Sequence, residues 1–430
     1  MKSTVAAVVT LTTLACTLLA APAFANDPLP RARPESVGMS SERLARIGPV
    51  INAHIEKNHL PGMVVAVARK GRLVYYEAFG WRDKQNNVRM TTDTIFSLAS
   101  MTKPMAAVGA MSLYEEGRLL IGDPVGKHLP ELAKMDVGVV KAGADGKPVI
   151  ERVPAKRQMV VQDLMRHTAG LTYGARGASP LHALHPASST TTALKMSADE
   201  FINQLAGLPL IHHPGTVWEY SVSIDVLGIL LERITGQKLG DILAERIWKP
   251  LGMNDTAFNI PKEKLARYAR ALPINPDTGR PQAVTVHSGP APKFDCGGAC
   301  AAGTAGDYLR FAQMLLNKGV LGDTRILGKT TVEYMTADHL GTTIDNRVAA
   351  TDPSRAGYGF GLSMAVRTAA GESAVTGTAG DYNWGGANGT MFWVDPKEEL
   401  VVVYMAHTPG EPRLYYRALM KSLVMQALVK

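Results

Sequence analysis

Dense runs of lysine and arginine are missing from this chain. Its formal net charge is +8, but acidic residues are interspersed throughout, whereas a nucleic-acid binder shows a basic stripe. The positive balance reads as a solvated surface with at most loose attraction to anionic polymers. Zinc-ligand spacings such as His-Glu-x-x-His are absent too, which excludes the usual metallohydrolase plan. No metal or other cofactor is implied. No internal repeat is present, and beyond the N-terminal segment no apolar run is long enough to span a bilayer. Cysteine is scarce: three residues in 430, too few for a small disulfide scaffold.

The N-terminus carries a processing signal. Lys2 gives a positive start, Val5 to Ala21 is apolar and uncharged, and Ala23-Phe24-Ala25 is a small-x-small cleavage site. Residues 1–25 are read as a secretory signal peptide cleaved after Ala25, which predicts a secreted, periplasmic protein. Cys16 invites a lipoprotein reading, but Thr13-Leu14-Ala15 is a poor lipobox. The remaining pair, Cys296 and Cys300, would meet an oxidising compartment. The Gly-Gly between them makes closure possible, so a local disulfide is favoured over two free thiols.

Chemistry is concentrated at Phe96 to Pro104, which contains Ser100 and Lys103. If Ser100 opens a helix, the i, i+3 spacing puts both side chains on one face. The hydroxyl then has an amine beside it, and a serine needs such a base to become a nucleophile. Ser-x-x-Lys alone is common by chance, usually as an exposed serine and lysine on a helix. Met105 to Glu116 reads as helix, with Gly117 as its stop.

The chain order predicts the architecture. Ser40 to Asn58 reads as a helix with Leu44, Ile47, Ile51 and Ile55 on one face. Met63 to Arg69 and Leu73 to Phe79 read as strands joined at Lys70-Gly71-Arg72. Strands return late, at Phe360 to Val366, Gly389 to Val394 and Glu399 to Ala406, before a closing helix at Arg413 to Val429. Between lie helical stretches at Val161–His167, Ala198–Gly207, Asp225–Thr235, Leu239–Ile247 and Thr304–Asn317, and a hairpin turn at Asp145-Gly146. Thr172 to Ser197 is long, irregular and rich in Ser, Thr, His and Pro, hence functional or flexible. The expectation is an α/β (α+β type) fold: one antiparallel sheet built from both chain ends, flanked by helices, with an inserted mostly helical lobe. The α/β lobe takes in about 36–118 and 300–430 and the α lobe about 119–299, within a mature unit of 26–430. A site at the seam between lobes is expected.

Two further stretches stand out. Pro214 to Gly228 contains Tyr220, and Asn383 to Thr390 reads Asn-Trp-Gly-Gly-Ala-Asn-Gly-Thr. A lone tyrosine is usually a packed aromatic, and paired glycines usually make a plain turn. Together and in this order, however, Ser100-Met101-Thr102-Lys103, Tyr220-Ser221-Val222 and Trp384-Gly385-Gly386 resemble the serine β-lactamase-like, penicillin-recognising fold. The similarity is greatest to family VIII carboxylesterases, relatives of class C β-lactamases. Leu164 to Leu171, Pro250-Leu251-Gly252-Met253 and Asp307 to Leu316 support it, and it runs from about Ser36 to the C-terminus.

The resemblance implies an acyl-enzyme on Ser100, with Lys103 and Tyr220 sharing base and acid work. It places the oxyanion hole at the backbone N–H groups of Ser100 and Ala387, and substrate contacts at Val222, Trp384, Gly385 and Gly386. Trp384 stands where lactamases carry the lysine that holds a substrate carboxylate, and Val222 stands where they carry an asparagine. Both departures favour a neutral ester over an anionic lactam. The expectation is a secreted carboxylesterase acting on short-chain acyl esters. D,D-peptidase, D-aminopeptidase, 6-aminohexanoate-type amidase, weak class C-like lactamase and an inactive binder remain as alternatives. The expected partner is a small-molecule ester. Nothing in the sequence demands a dimer.

The other esterase plan needs Gly-x-Ser-x-Gly. The nearest stretch is Gly361-Leu362-Ser363-Met364-Ala365, where Ser363 reads as a strand residue. His167, His212 and His407 show no arrangement for a triad, and His167 reads as structural.

Overall fold

The computed structural model describes residues 27–430 except 283, 285, 286, 288 and 289. The proposed signal peptide and Cys16 lie outside the described residues. Near the N-terminus the Ser40 hydroxyl accepts the Arg43 N–H and caps a short turn, Ser41–Leu44. The helix expected to continue is broken there and restarts as α1, Ile47–Glu56.

Strands β1 (Gly62–Arg69) and β2 (Arg72–Asp83) follow. Lys70 and Gly71 both take positive φ, 51° and 69°, the requirement of a tight turn matched to strand twist. Next come β3 (Val88–Arg89) and α2 (Thr102–Glu115). The middle of the chain holds the hairpin β4 (Asp136–Ala142) and β5 (Pro148–Pro154), then α3 (Val161–Met165), α4 (Ala198–Ala206), α5 (Ser223–Thr235) and α6 (Leu239–Leu243). The last part runs α7 (Ala305–Leu316), β6 (Tyr358–Phe360), β7 (Ala365–Arg367), β8 (Tyr382–Gly385), β9 (Met391–Asp395), β10 (Leu400–Met405) and α8 (Pro412–Met425).

Eight strands form one antiparallel sheet in the order β6-β7-β8-β9-β10-β1-β2-β3. The two chain ends meet where Val64 pairs with Met405 and Arg69 with Leu400. Side chains alternate between faces along a strand, and both faces are covered here. Val64, Ala66, Ala68, Val401 and Val403 share a core with α2 and α7. Met63, Val65, Val67, Val402 and Tyr404 pack instead against α1 and α8. This double burial is why β1 reads as an almost unbroken apolar run.

One strand expectation needs correction. Phe360 to Val366 is not continuous: β6 and β7 form a hairpin, and Ser363 lies in its turn at φ 70°. Its Oγ donates to the Met165 carbonyl at 3.3 Å, so it is a buried turn residue. Among the described residues no helix is long and apolar enough to cross a membrane.

Candidate active site

The nucleophile's turn is over-determined by its neighbours. Ala99 takes φ 46°, a costly conformation for a residue with a Cβ. Four contacts hold it there. Leu98 N–H donates to Ala301 O at 2.9 Å. Thr390 Oγ1 donates to Leu98 O at 3.2 Å. Thr102 Oγ1 donates to Ala99 O at 2.7 Å and accepts the Ala301 N–H at 3.1 Å. Ser100 therefore sits in a single 3-10 turn, Ala99–Met101, and α2 begins two residues later than the sequence predicted, at Thr102.

Ser100 is half-buried, and two groups reach its oxygen. The Tyr220 hydroxyl donates to Ser100 Oγ at 2.7 Å, and Lys103 Nζ donates to the same atom at 3.2 Å. Lys103 is fully buried on a helix apolar all round. Its remaining donors are taken by Gly298 O at 2.6 Å and Tyr173 Oη at 3.3 Å. Burial pushes the Tyr220 phenol up. The Lys103 ammonium, then hydrogen bonds with Lys103, Ser100 and Trp384, outweigh it, and the phenol ends below its ordinary value.

Behind Lys103 runs a buried polar chain that the sequence reading missed. Tyr173 Oη and Ser189 Oγ lie 2.8 Å apart, and Ser189 Oγ donates to Asp225 Oδ2 at 2.5 Å. Asp225 Oδ1 accepts the Gly298 N–H at 2.8 Å, closing the circuit onto the carbonyl that holds Lys103. Burial raises the Asp225 carboxyl, against the pull of Lys103, Ser189 and Gly298. Gly298 lies inside the loop closed by the disulfide between Cys296 and Cys300, whose Cα atoms are 5.2 Å apart. Two clues pointed here: the Ser/Thr-rich segment Thr172 to Ser197, and Asp225 inside the stretch around Tyr220. That segment is not irregular throughout; it folds into short helices at Pro180–Leu184 and Ser189–Lys195.

The residues expected to touch substrate are placed differently. Val222 is fully buried among the core residues at the start of α5. Trp384 is 2% exposed and offers no apolar face to the cleft. Its Nε1–H donates to Tyr220 Oη at 3.3 Å, and the Arg355 guanidinium covers its ring at 4.0 Å. Gly385 and Gly386 are buried as well. A Cβ on Gly385 would lie 2.6 Å from the Arg417 guanidinium, and one on Gly386 2.5 Å from Leu98 O, so both glycines permit packing behind the nucleophile's turn. Ala387 is exposed and does face the cleft, a cavity of about 420 Å³ shared by Ser100, Tyr173, Arg176, Tyr220 and Asn388.

The histidines belong to the framework. His407 Nε2 accepts the Ser97 N–H at 3.0 Å, and its Nδ1 lies 3.0 Å from Ala269 O, so both nitrogens are occupied. His167 Nδ1 accepts the Ser221 N–H at 3.3 Å, and its ring packs on Tyr220 at 4.8 Å between centroids.

A strained serine turn on an antiparallel sheet, with lysine and tyrosine at its hydroxyl, defines a serine hydrolase of the β-lactamase fold. The chain belongs to the Beta-lactamase family, whose model matches residues 49–424. It is 34% identical to Protein Rv1367c of Mycobacterium tuberculosis over 81% of this chain and 86% of that one. It is 29% identical to Esterase EstB of Burkholderia gladioli over 85% of this chain and 91% of the esterase. Among solved structures it superposes on EstCE1, a hydrolase with promiscuous acyltransferase activity, with a TM-score of 0.71 and 26% identity. That match covers 89% of this chain and 98% of EstCE1.

Proposed function

We propose that the protein is a secreted carboxylesterase that cleaves short-chain acyl esters through an acyl-enzyme on Ser100. The observation that carries this reading is the placement of Ser100 Oγ 2.7 Å from the Tyr220 hydroxyl and 3.2 Å from Lys103 Nζ. Tyr220 is the nearer group, and the environment that lowers its phenol makes it the general base. It takes the Ser100 proton as Oγ attacks the ester carbonyl. The backbone N–H groups of Ser100 and Ala387 receive the oxyanion, each such donor lowering the barrier by about 3 kcal/mol. Tyr220 then returns the proton to the leaving alkoxide. Water, deprotonated by the same phenolate, attacks the acyl carbonyl; the bond to Ser100 Oγ breaks, Oγ takes the proton back from Tyr220, and the acid is released.

Three features support an ester of modest size. Small side chains, Ala99, Ala187, Ala299 and Ala387, line the cleft. The indole in place of a lysine is turned to Tyr220, not to substrate. A relative at 29% identity is named an esterase. The disulfide fits an oxidising compartment, in keeping with export by the N-terminal signal.

The test compares hydrolysis of p-nitrophenyl acetate and butyrate with that of a chromogenic cephalosporin, beside Ser100→Ala. Ester turnover is expected to exceed cephalosporin turnover, and Ser100→Ala to lower kcat by at least about 1,000-fold. Full ester turnover by Ser100→Ala would sink the nucleophile assignment.

A further inference from the structure

Among the described residues, Arg176 is the single charged one that lines the cleft, and it has no part in the chemistry above. It is exposed, and among the described residues no carboxylate lies within ion-pair distance of it. Its protein contacts are weak: a 3.4 Å hydrogen bond to Ala350 O, and its guanidinium carbon 5.3 Å from the centre of the Tyr220 ring. The guanidinium faces the ring, and the Tyr220 hydroxyl is engaged by Ser100 and Trp384.

The neighbouring charges do not neutralise it. Arg417 is paired with Asp352 at 3.0 Å. Asp225 is buried behind Ser189 and bonded to Gly298. Arg413, on α8, is held below its ordinary value by burial and then Arg417, with Arg176 acting in the same sense and Glu411 and Asp352 against it. The cleft thus carries the positive charge of Arg176 and a planar fork of N–H donors engaged only by the long bond to Ala350 O, the geometry that a carboxylate fits in two-point contact. Ser188, Thr190, Thr191 and Asn388 add neutral hydroxyl and amide groups to the cleft lining. A substrate that displaces water from this cleft strengthens any charge pairing made inside it.

We propose that Arg176 receives a carboxylate carried by the substrate, so that the preferred substrates are anionic half-esters whose carboxylate lies a few bonds from the ester carbonyl. This rests on the esterase reading and narrows it. It also shifts the anion-binding role away from the position held by Trp384, which is buried, to Arg176, which lines the cleft.

The experiment measures kcat/KM by pH-stat for monoethyl glutarate and diethyl glutarate, in the wild type, Arg176→Lys, Arg176→Met and Arg176→Glu. The readout is the ratio of anionic to neutral ester. The wild type is expected to favour the half-ester, Arg176→Met to lower the ratio by about 10- to 100-fold, Arg176→Lys to restore part of it, and Arg176→Glu to invert it. An equal ratio in all four proteins overturns the inference and leaves the esterase reading standing. A parallel fall for both esters also overturns it, since Arg176 would then act on Tyr220. No hydrolysis of either ester overturns both readings.

Discussion

Trp384 directs its one polar group at Tyr220, and that contact has a measurable consequence. The indole N–H is among the hydrogen bonds that favour the phenolate. Trp384→Phe keeps an aromatic ring beneath Arg355 and removes only the donor. Tyr220 must be deprotonated to act, so activity rises with pH as its phenol ionises. Without the donor the phenol rises, and the ascending limb of the kcat/KM profile should move to higher pH, with kcat at pH 7 down about tenfold. An unmoved limb would show that Lys103 alone sets the base. At this scale the sequence was most legible for Ser100, Lys103 and Tyr220, because their spacing and order carry the resemblance. Val222, Trp384, Gly385 and Gly386, expected to touch substrate, are all buried. A motif records which residues are near a site but not how deeply the fold packs them: Val222 and Trp384 turn into the protein, and a Cβ on either glycine would strike its neighbours. Arg176 and Asp225 carry no motif; only the fold brings them to the site.

The disulfide loop is the element on which Lys103 depends. Gly298 O takes one Lys103 proton at 2.6 Å, and Gly298 N–H is fixed by Asp225 at 2.8 Å. Closing a loop of this size stabilises a fold by about 2 kcal/mol through the unfolded chain. The Cys296→Ala/Cys300→Ala protein should lose about that much in urea unfolding. It should also lose more kcat than a remote change of equal stability cost, because a loosened Gly298 frees the amine from its aim. Equal losses in the two controls would reduce the loop to a staple. Strand pairs at each end of the chain were readable from alternation and turn residues. The β6–β7 hairpin was not, because Gly361 to Ala365 is apolar except for Ser363 and its turn uses that serine at positive φ. The short helices at 180–184 and 189–195 were hidden by composition, since serine caps and proline starts look like loop chemistry until their hydrogen bonds are seen.

Across the whole molecule, buried histidine couples stability to acidity. Burial holds His407 down to about 3 from its ordinary 6.5, with the Ala269 carbonyl pulling the other way. Above pH 6.5 both folded and unfolded chains carry it neutral. Below that the unfolded chain takes a proton that the folded chain refuses, so stability falls as the pH drops toward about 3. The slope is about 1.4 kcal/mol per pH unit, or about 2 kcal/mol by pH 5. Asp307, held by burial at about 6, titrates in the opposite sense, so the informative quantity is a difference. The fall in urea midpoint between pH 7.5 and 5.0 should be smaller in His407→Gln than in the wild type. Identical slopes would mean that His407 is protonated in the folded state. The central place of β10, between β9 and β1, bears on how the protein is made. A ribosome releases Ser100 long before Ala301, Thr390 and Leu400; until these follow, the nucleophile's turn lacks its partners and β1 offers an open edge. A chain still in synthesis therefore lacks the contacts that fix its serine until nearly all of it has been made.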